Sequence, residues 1–139
     1  MTGGGDDFTA RRAPTLADFE LIAVEALKRL PEEFRRLAGE VQLRVAEFPD
    51  DDVLEEMRAQ TEFDILGLFQ GVGMAHGATV PDTGELPNMI WLYRRPILDY
   101  WTAHDETLGS VIRHVLIHEI GHHFGLSDAD MEAIEAAAE

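Results

Sequence analysis

Between Leu108 and Phe124 the chain carries the pattern that most restricts its fold: His118-Glu119-Ile120-Gly121-His122 set inside an apolar helical repeat. Leu108, Val111, Ile112, Val115, Leu116 and Ile120 recur at the spacing of one helix face. Residues four apart on a helix stand one turn apart on nearly the same side, so the imidazoles of His118 and His122 converge on a common point. Glu119 lies about 100° round from His118, off that line but near enough to reach a water at the same point. Any fold built on this helix must bury its apolar side and leave the histidine side accessible.

The pattern continues past the helix. His122 is followed at three-residue steps by Gly125 and Asp128, giving H-E-x-x-H-x-x-G-x-x-D. A glycine takes the left-handed conformation without a Cβ clash, so Gly125 can turn the chain and return Asp128 toward the two imidazoles. Ser127-Asp128 also reads as the N-cap of a last helix. Asp130, Glu132 and Glu135 are substitute carboxylates in principle, although 10 and 13 residues after His122 the two glutamates stand close for that role.

The chain has no cysteine, which removes disulfides, thiol nucleophiles and thiolate metal sites together. An ion held by this motif is therefore bound by His and carboxylate. Zn2+ suits neutral imidazole, has no redox role and fits hydrolysis. The 27 acidic residues against 11 basic give a net charge of −16, a field that repels phosphate backbones, so neither nucleic acid nor an anionic membrane is the expected partner. After Arg113 there is no Lys or Arg at all. Most of this surplus reads as a solubilising face, and part of it offsets a bound cation.

At 139 residues the chain has the length of one domain. No stretch approaches the roughly 18 apolar residues of a membrane span. The start, Met1 to Asp7, shows neither a basic region nor an apolar core, which makes the cytoplasm the default compartment. Residues 1–14 read as a flexible Gly-rich leader, and 15–139 as the folded domain. Helices are predicted over about 16–30, from Pro31 through Leu37, over 52–59, from Pro96 to Ala103, over 105–124 and over 128–138. Val41–Phe48, Ile65–Gln70 and Met89–Tyr93 read as strands, with an irregular strand or hairpin within Val72–Val80. The class is α+β, a small mixed sheet packed by helices around the long helix that bears the motif.

The segment from His118 to Asp128 resembles the active-site segment of the small bacterial zincin-like metallopeptidases, the minimal zincin family. Leu27-Lys28-Arg29-Leu30-Pro31-Glu32-Glu33, Leu66-Gly67-Leu68-Phe69-Gln70-Gly71 and Ile90-Trp91-Leu92-Tyr93-Arg94-Arg95-Pro96-Ile97-Leu98 are also similar to it, so the resemblance covers about residues 15–131. It implies a minimal zincin-like fold, zinc on His118, His122 and Asp128, and Glu119 as the base. The spacing is also that of metzincins, whose third ligand is usually His where Asp128 stands here. Metzincins carry a second subdomain and a Met-containing turn beyond that ligand. Only 11 residues follow Asp128, and Met131 lies too near it, on a predicted helix, to make such a turn. The lower wall of a substrate cleft is then absent or comes from a partner chain.

The expected activity is zinc-dependent hydrolysis of a peptide bond in a peptide or protein substrate. The alternative is a zinc-binding interaction module whose peptidase chemistry is vestigial or depends on a partner. Gly71–Val80 is the candidate edge strand for an extended substrate. His114 completes a column with His118 and His122, but its distance from His122, about 12 Å along the axis, bars one ion from using all three, and it reads as structural. His123 is expected on the exposed side. His76, Tyr93, Arg94 and Tyr100 are conceivable oxyanion donors whose structural reading is the simpler one.

Overall fold

The computed structural model describes residues 8–71 and 88–138. Among these residues six α-helices pack with a three-stranded sheet: α1 Leu16–Lys28, α2 Glu32–Ala38, β1 Val41–Ala46, α3 Asp51–Glu56, β2 Gly67–Gln70, β3 Asn88–Tyr93, α4 Arg94–Thr102, α5 Leu108–His123 and α6 Asp128–Ala138. This is the expected α+β class. Before them Phe8–Ala10 form a short 3-10 turn inside the stretch read as a leader. No helix among the described residues is long and apolar enough to cross a membrane.

The helix limits follow from their caps. Thr15 closes a reciprocal capping box with Asp18, its hydroxyl accepting from the Asp18 N–H at 3.1 Å while the Asp18 carboxylate accepts from the Thr15 N–H at 2.8 Å. Thr107 caps α5 by accepting from the Ser110 N–H at 3.1 Å, which starts that helix at Leu108 rather than at 105. Helix α4 begins at Arg94, two residues before Pro96. The proline fits there because the first helical N–H groups have no intrahelical acceptor. Gly39 and Gly125 both sit at positive φ, +71° and +77°, and end α2 and α5 as the sequence predicts.

The sheet order is β1-β3-β2, with β1 parallel and β2 antiparallel to the central β3. Leu43 stands opposite Ile90 and Phe69 opposite the same residue on the other side, so the apolar side chains of all three strands share one face. Strand β2 begins at Gly67, two residues later than Ile65, and β1 ends at Ala46, short of Phe48. Phe48 instead makes an edge-to-face contact with Phe63 at 5.2 Å between ring centres. The segment predicted as a strand within Val72–Val80 lies outside the described residues.

Helix α5 runs through the centre of this assembly, against α1, β2, β3, α4 and α6. Val111, Ile112, Val115, Leu116, Ile117 and Ile120 are buried with Phe19 and Ala23 of α1 and with Ile90 and Leu92 of β3. Ile117 was not on the predicted apolar face. Its burial shows that packing covers more of α5 than that face, while the side that carries His114, His118, Glu119 and His122 stays accessible.

Candidate metal centre

That accessible side forms one wall of a cleft of about 320 Å³, lined also by Asp64 and Tyr100. The three histidines of the column differ in surroundings. The rings of His114 and His118 lie 3.9 Å apart between centres, tilted by 31°. Those of His118 and His122 are 5.8 Å apart and nearly perpendicular, at 80°. His122 is exposed and the other two are half-buried.

Opposite them α6 brings a carboxylate. The Nδ1–H of His114 faces both oxygens of Glu135, at 3.0 and 3.1 Å. His118 Nε2 is 3.5 Å from Glu135 Oε1. It is nonetheless closed off from solvent and makes no hydrogen bond. A buried nitrogen held only by this long ion-pair contact is under-satisfied, which is costly, and a bound cation would relieve it. Desolvation, and then the neighbouring His114, hold the His118 imidazole below its ordinary pKa, with Glu135 opposing them. The ring is therefore biased to the neutral form that binds metals.

Glu119 sits on the other side of the same turn, beside β2. A Cβ placed on Gly67 would lie 3.4 Å from the Glu119 Cγ, so the glycine lets the strand backbone close over the acid. Burial pushes its carboxyl up to about 7. A group with that value exchanges protons readily near neutrality. Tyr93 of β3 is buried, and desolvation, followed by the charges of Asp50 and Glu119, pushes its phenol up to about 12.

Among the described residues, one group of three metal-binding side chains comes together, His114, His118 and Glu135, with ligand atoms all within 4.8 Å of one another. His122 and Asp128 lie outside that group. Asp128 is the first residue of α6 and is exposed. The cap of α6 is made by its neighbours. The Ser127 hydroxyl accepts from the Asp130 N–H at 3.0 Å, and the Asp130 carboxylate accepts from the Ser127 N–H at 3.2 Å. Of the substitute carboxylates, Asp130 is engaged in that cap, Glu132 is exposed, and Glu135 reaches the imidazoles. The signal for Glu135 was present in the sequence. Met131 and Glu135 are four apart, so the buried face of α6 that carries the methionine also carries the glutamate.

The remaining candidates separate clearly. His123 was expected on the exposed side; it is half-buried instead, with its ring 4.5 Å from that of Phe69 and pressed against Gly71. Arg94 is engaged structurally, donating to the Pro14 carbonyl at 2.6 Å and to Glu47 at 2.9 Å. Tyr100 stacks on His104, with ring centres 3.8 Å apart, and lines the cleft. His76 lies outside the described residues.

A family model described as zincin-like metallopeptidase matches residues 38–138, which includes the whole sheet, the motif helix and α6. The chain belongs to the zincin-like metallopeptidase family. No curated protein matches the chain. The site's donors suit the metal that a zincin-like metallopeptidase implies, since imidazole nitrogen and carboxylate oxygen are zinc ligands and one imidazole nitrogen here is enclosed without a hydrogen bond.

Proposed function

We propose that this zincin-like chain is a zinc-dependent peptidase. The observation that carries the reading is the pairing, on one turn of α5, of the enclosed Nε2 of His118, which makes no hydrogen bond, with the half-buried carboxyl of Glu119. His118 and His122 would hold the zinc through one ring nitrogen each, with Asp128 as the third ligand beyond the Gly125 turn. Bound zinc lowers the pKa of water and polarises the scissile carbonyl. Glu119 takes a proton from the attacking water and delivers it to the leaving amine. Its enclosure under β2 fixes the carboxyl in place and supports proton transfer near neutral pH. The substrate is a peptide or protein, and the acidic surface argues against nucleic acid or an anionic membrane as partner. The cytoplasm is the proposed compartment.

The test is turnover of a diverse peptide mixture by zinc-loaded protein. Cleavage should stop with a chelator. Glu119→Gln should keep its zinc and lose turnover by about 10²–10⁴-fold. Unchanged turnover in that variant would remove Glu119 from its role.

The exposure of His122 and Asp128 favours a second reading. In it a partner chain completes the lower wall, and peptidase activity is conditional on assembly. Stoichiometric zinc with cleavage only after a partner is added would select this reading.

A further inference from the structure

Helix α5 carries two overlapping histidine pairs, each four residues apart: His114 with His118, and His118 with His122. They share His118. The second pair has Glu119 directly after its first histidine, whereas the first has Val115 at that position. In the structure the first pair is the one with a carboxylate in reach.

Atoms bound at roughly 2.0–2.1 Å to a tetrahedral zinc stand about 3.3–3.4 Å from one another. Glu135 lies 3.0 and 3.1 Å from His114 Nδ1 and 3.5 Å from His118 Nε2. The separations between carboxylate and imidazoles are thus near those a small divalent ion imposes; on binding, His114 Nδ1 gives up the proton it shares with Glu135, and the two rings, now tilted by 31°, turn so that their nitrogens, within 4.8 Å of each other, converge. The elements bearing these atoms are also fixed. Met131, one turn before Glu135, is fully buried against Gly121, which lies one turn after His118. That contact sets the height of α6 on α5 and brings Glu135 level with the first pair.

We propose that His114, His118 and Glu135 form a divalent-cation site of their own, one turn nearer the start of α5 than the H-E-x-x-H pair. An ion held there takes the Nε2 of His118 away from His122. With valine in place of a glutamate beside His114, this position holds the ion without a base at the corresponding step of its own pair. It is a resting place for the metal, in competition with the working one. The inference needs cation binding but not peptide hydrolysis.

The experiment measures zinc stoichiometry, and the visible spectrum with Co2+, on full-length His122→Ala/Asp128→Ala. Both side chains are exposed, so their truncation opens no core cavity. The double variant should still bind one zinc, and adding Glu135→Gln should weaken that binding at least tenfold. Loss of all zinc from the double variant, at concentrations that saturate the wild type, would overturn the inference and leave the peptidase reading standing. Zinc retained regardless of Glu135 would overturn it as well. On the unaltered protein, the ring-nitrogen NMR shifts of His114 should move as zinc is added; fixed shifts would contradict the proposal. Zinc retained through Glu135, with no peptide cleaved by the isolated wild type, would uphold the inference while removing the reading of the chain as a peptidase active on its own.

Discussion

The two flanks of α5 are fitted closely to their neighbours, and each flank meets a different half of the site. On the β2 flank, Gly67 brings strand backbone so near that an added Cβ would stand 2.7 Å from Val115 Cγ1 and 3.0 Å from the Trp91 carbonyl oxygen. On the α6 flank the glycine belongs to α5 itself, and a Cβ on Gly121 would stand 2.5 Å from the Met131 sulfur. The first approach encloses the acid Glu119, and the second seats the helix that carries Glu135 and begins at Asp128. On the proposed function, proton transfer and metal holding therefore rest on separate packing contacts, so that each can be damaged without the other.

The largest expected effect comes from the α6 flank. Met131 is fully buried, and Met131→Ala should cost about 2–5 kcal/mol of stability, since the space it leaves is only partly filled. Zinc affinity should fall with it, because α6 loses the contact that fixes its height. Chemical denaturation and zinc titration check both. Unchanged zinc affinity in a destabilised protein would break the link between this contact and the metal ligands.

On the β2 flank, Gly67→Ala should cost about 1–3 kcal/mol through overpacking against Val115 and the Trp91 backbone. Here zinc content should remain that of the wild type while peptide turnover drops, because the strand shifts over Glu119. A loss of zinc equal to that of Met131→Ala would erase the distinction between the flanks.

The Glu119 effect shows only as a dependence on pH. The carboxyl is raised from 4.5 to about 7 by burial, so the folded protein holds this proton where the unfolded chain has released it. Stability of the metal-free protein from this group therefore falls as pH rises from about 4.5 to 7, by at most about 1.4 kcal/mol per pH unit. His118, held below its ordinary value, contributes the opposite slope, its share being lost as pH falls. Subtracting the denaturation profile of Glu119→Gln isolates the glutamate. A difference that does not depend on pH would show that burial leaves the acid unperturbed.

How much of this was legible beforehand depended on the range of the forces involved. The α-helices could be read because caps and apolar spacing act within a few residues, as at Thr15, Gly39 and Gly125. Helix α5 was visible for the same reason, along with the placing of His118, Glu119 and His122 on its accessible side. The reach of Glu135 to His114 was not legible as a contact. It depends on how closely α6 approaches α5, and that is decided by Gly121 meeting Met131. The burial of His123 was hidden similarly, since nothing near it in sequence indicates that Phe69 and Gly71 of a distant segment will cover its ring. Pro96 misled by two residues because a proline fits several positions in a first turn.

The most direct test of the central claim is diffraction from zinc-loaded crystals with data collected on both sides of the zinc absorption edge. An anomalous peak bonded to Nε2 of His118 is expected, with the Glu119 carboxylate near the ion but not ligating it. A peak remote from His118, or one ligated by Glu119 itself, would contradict it.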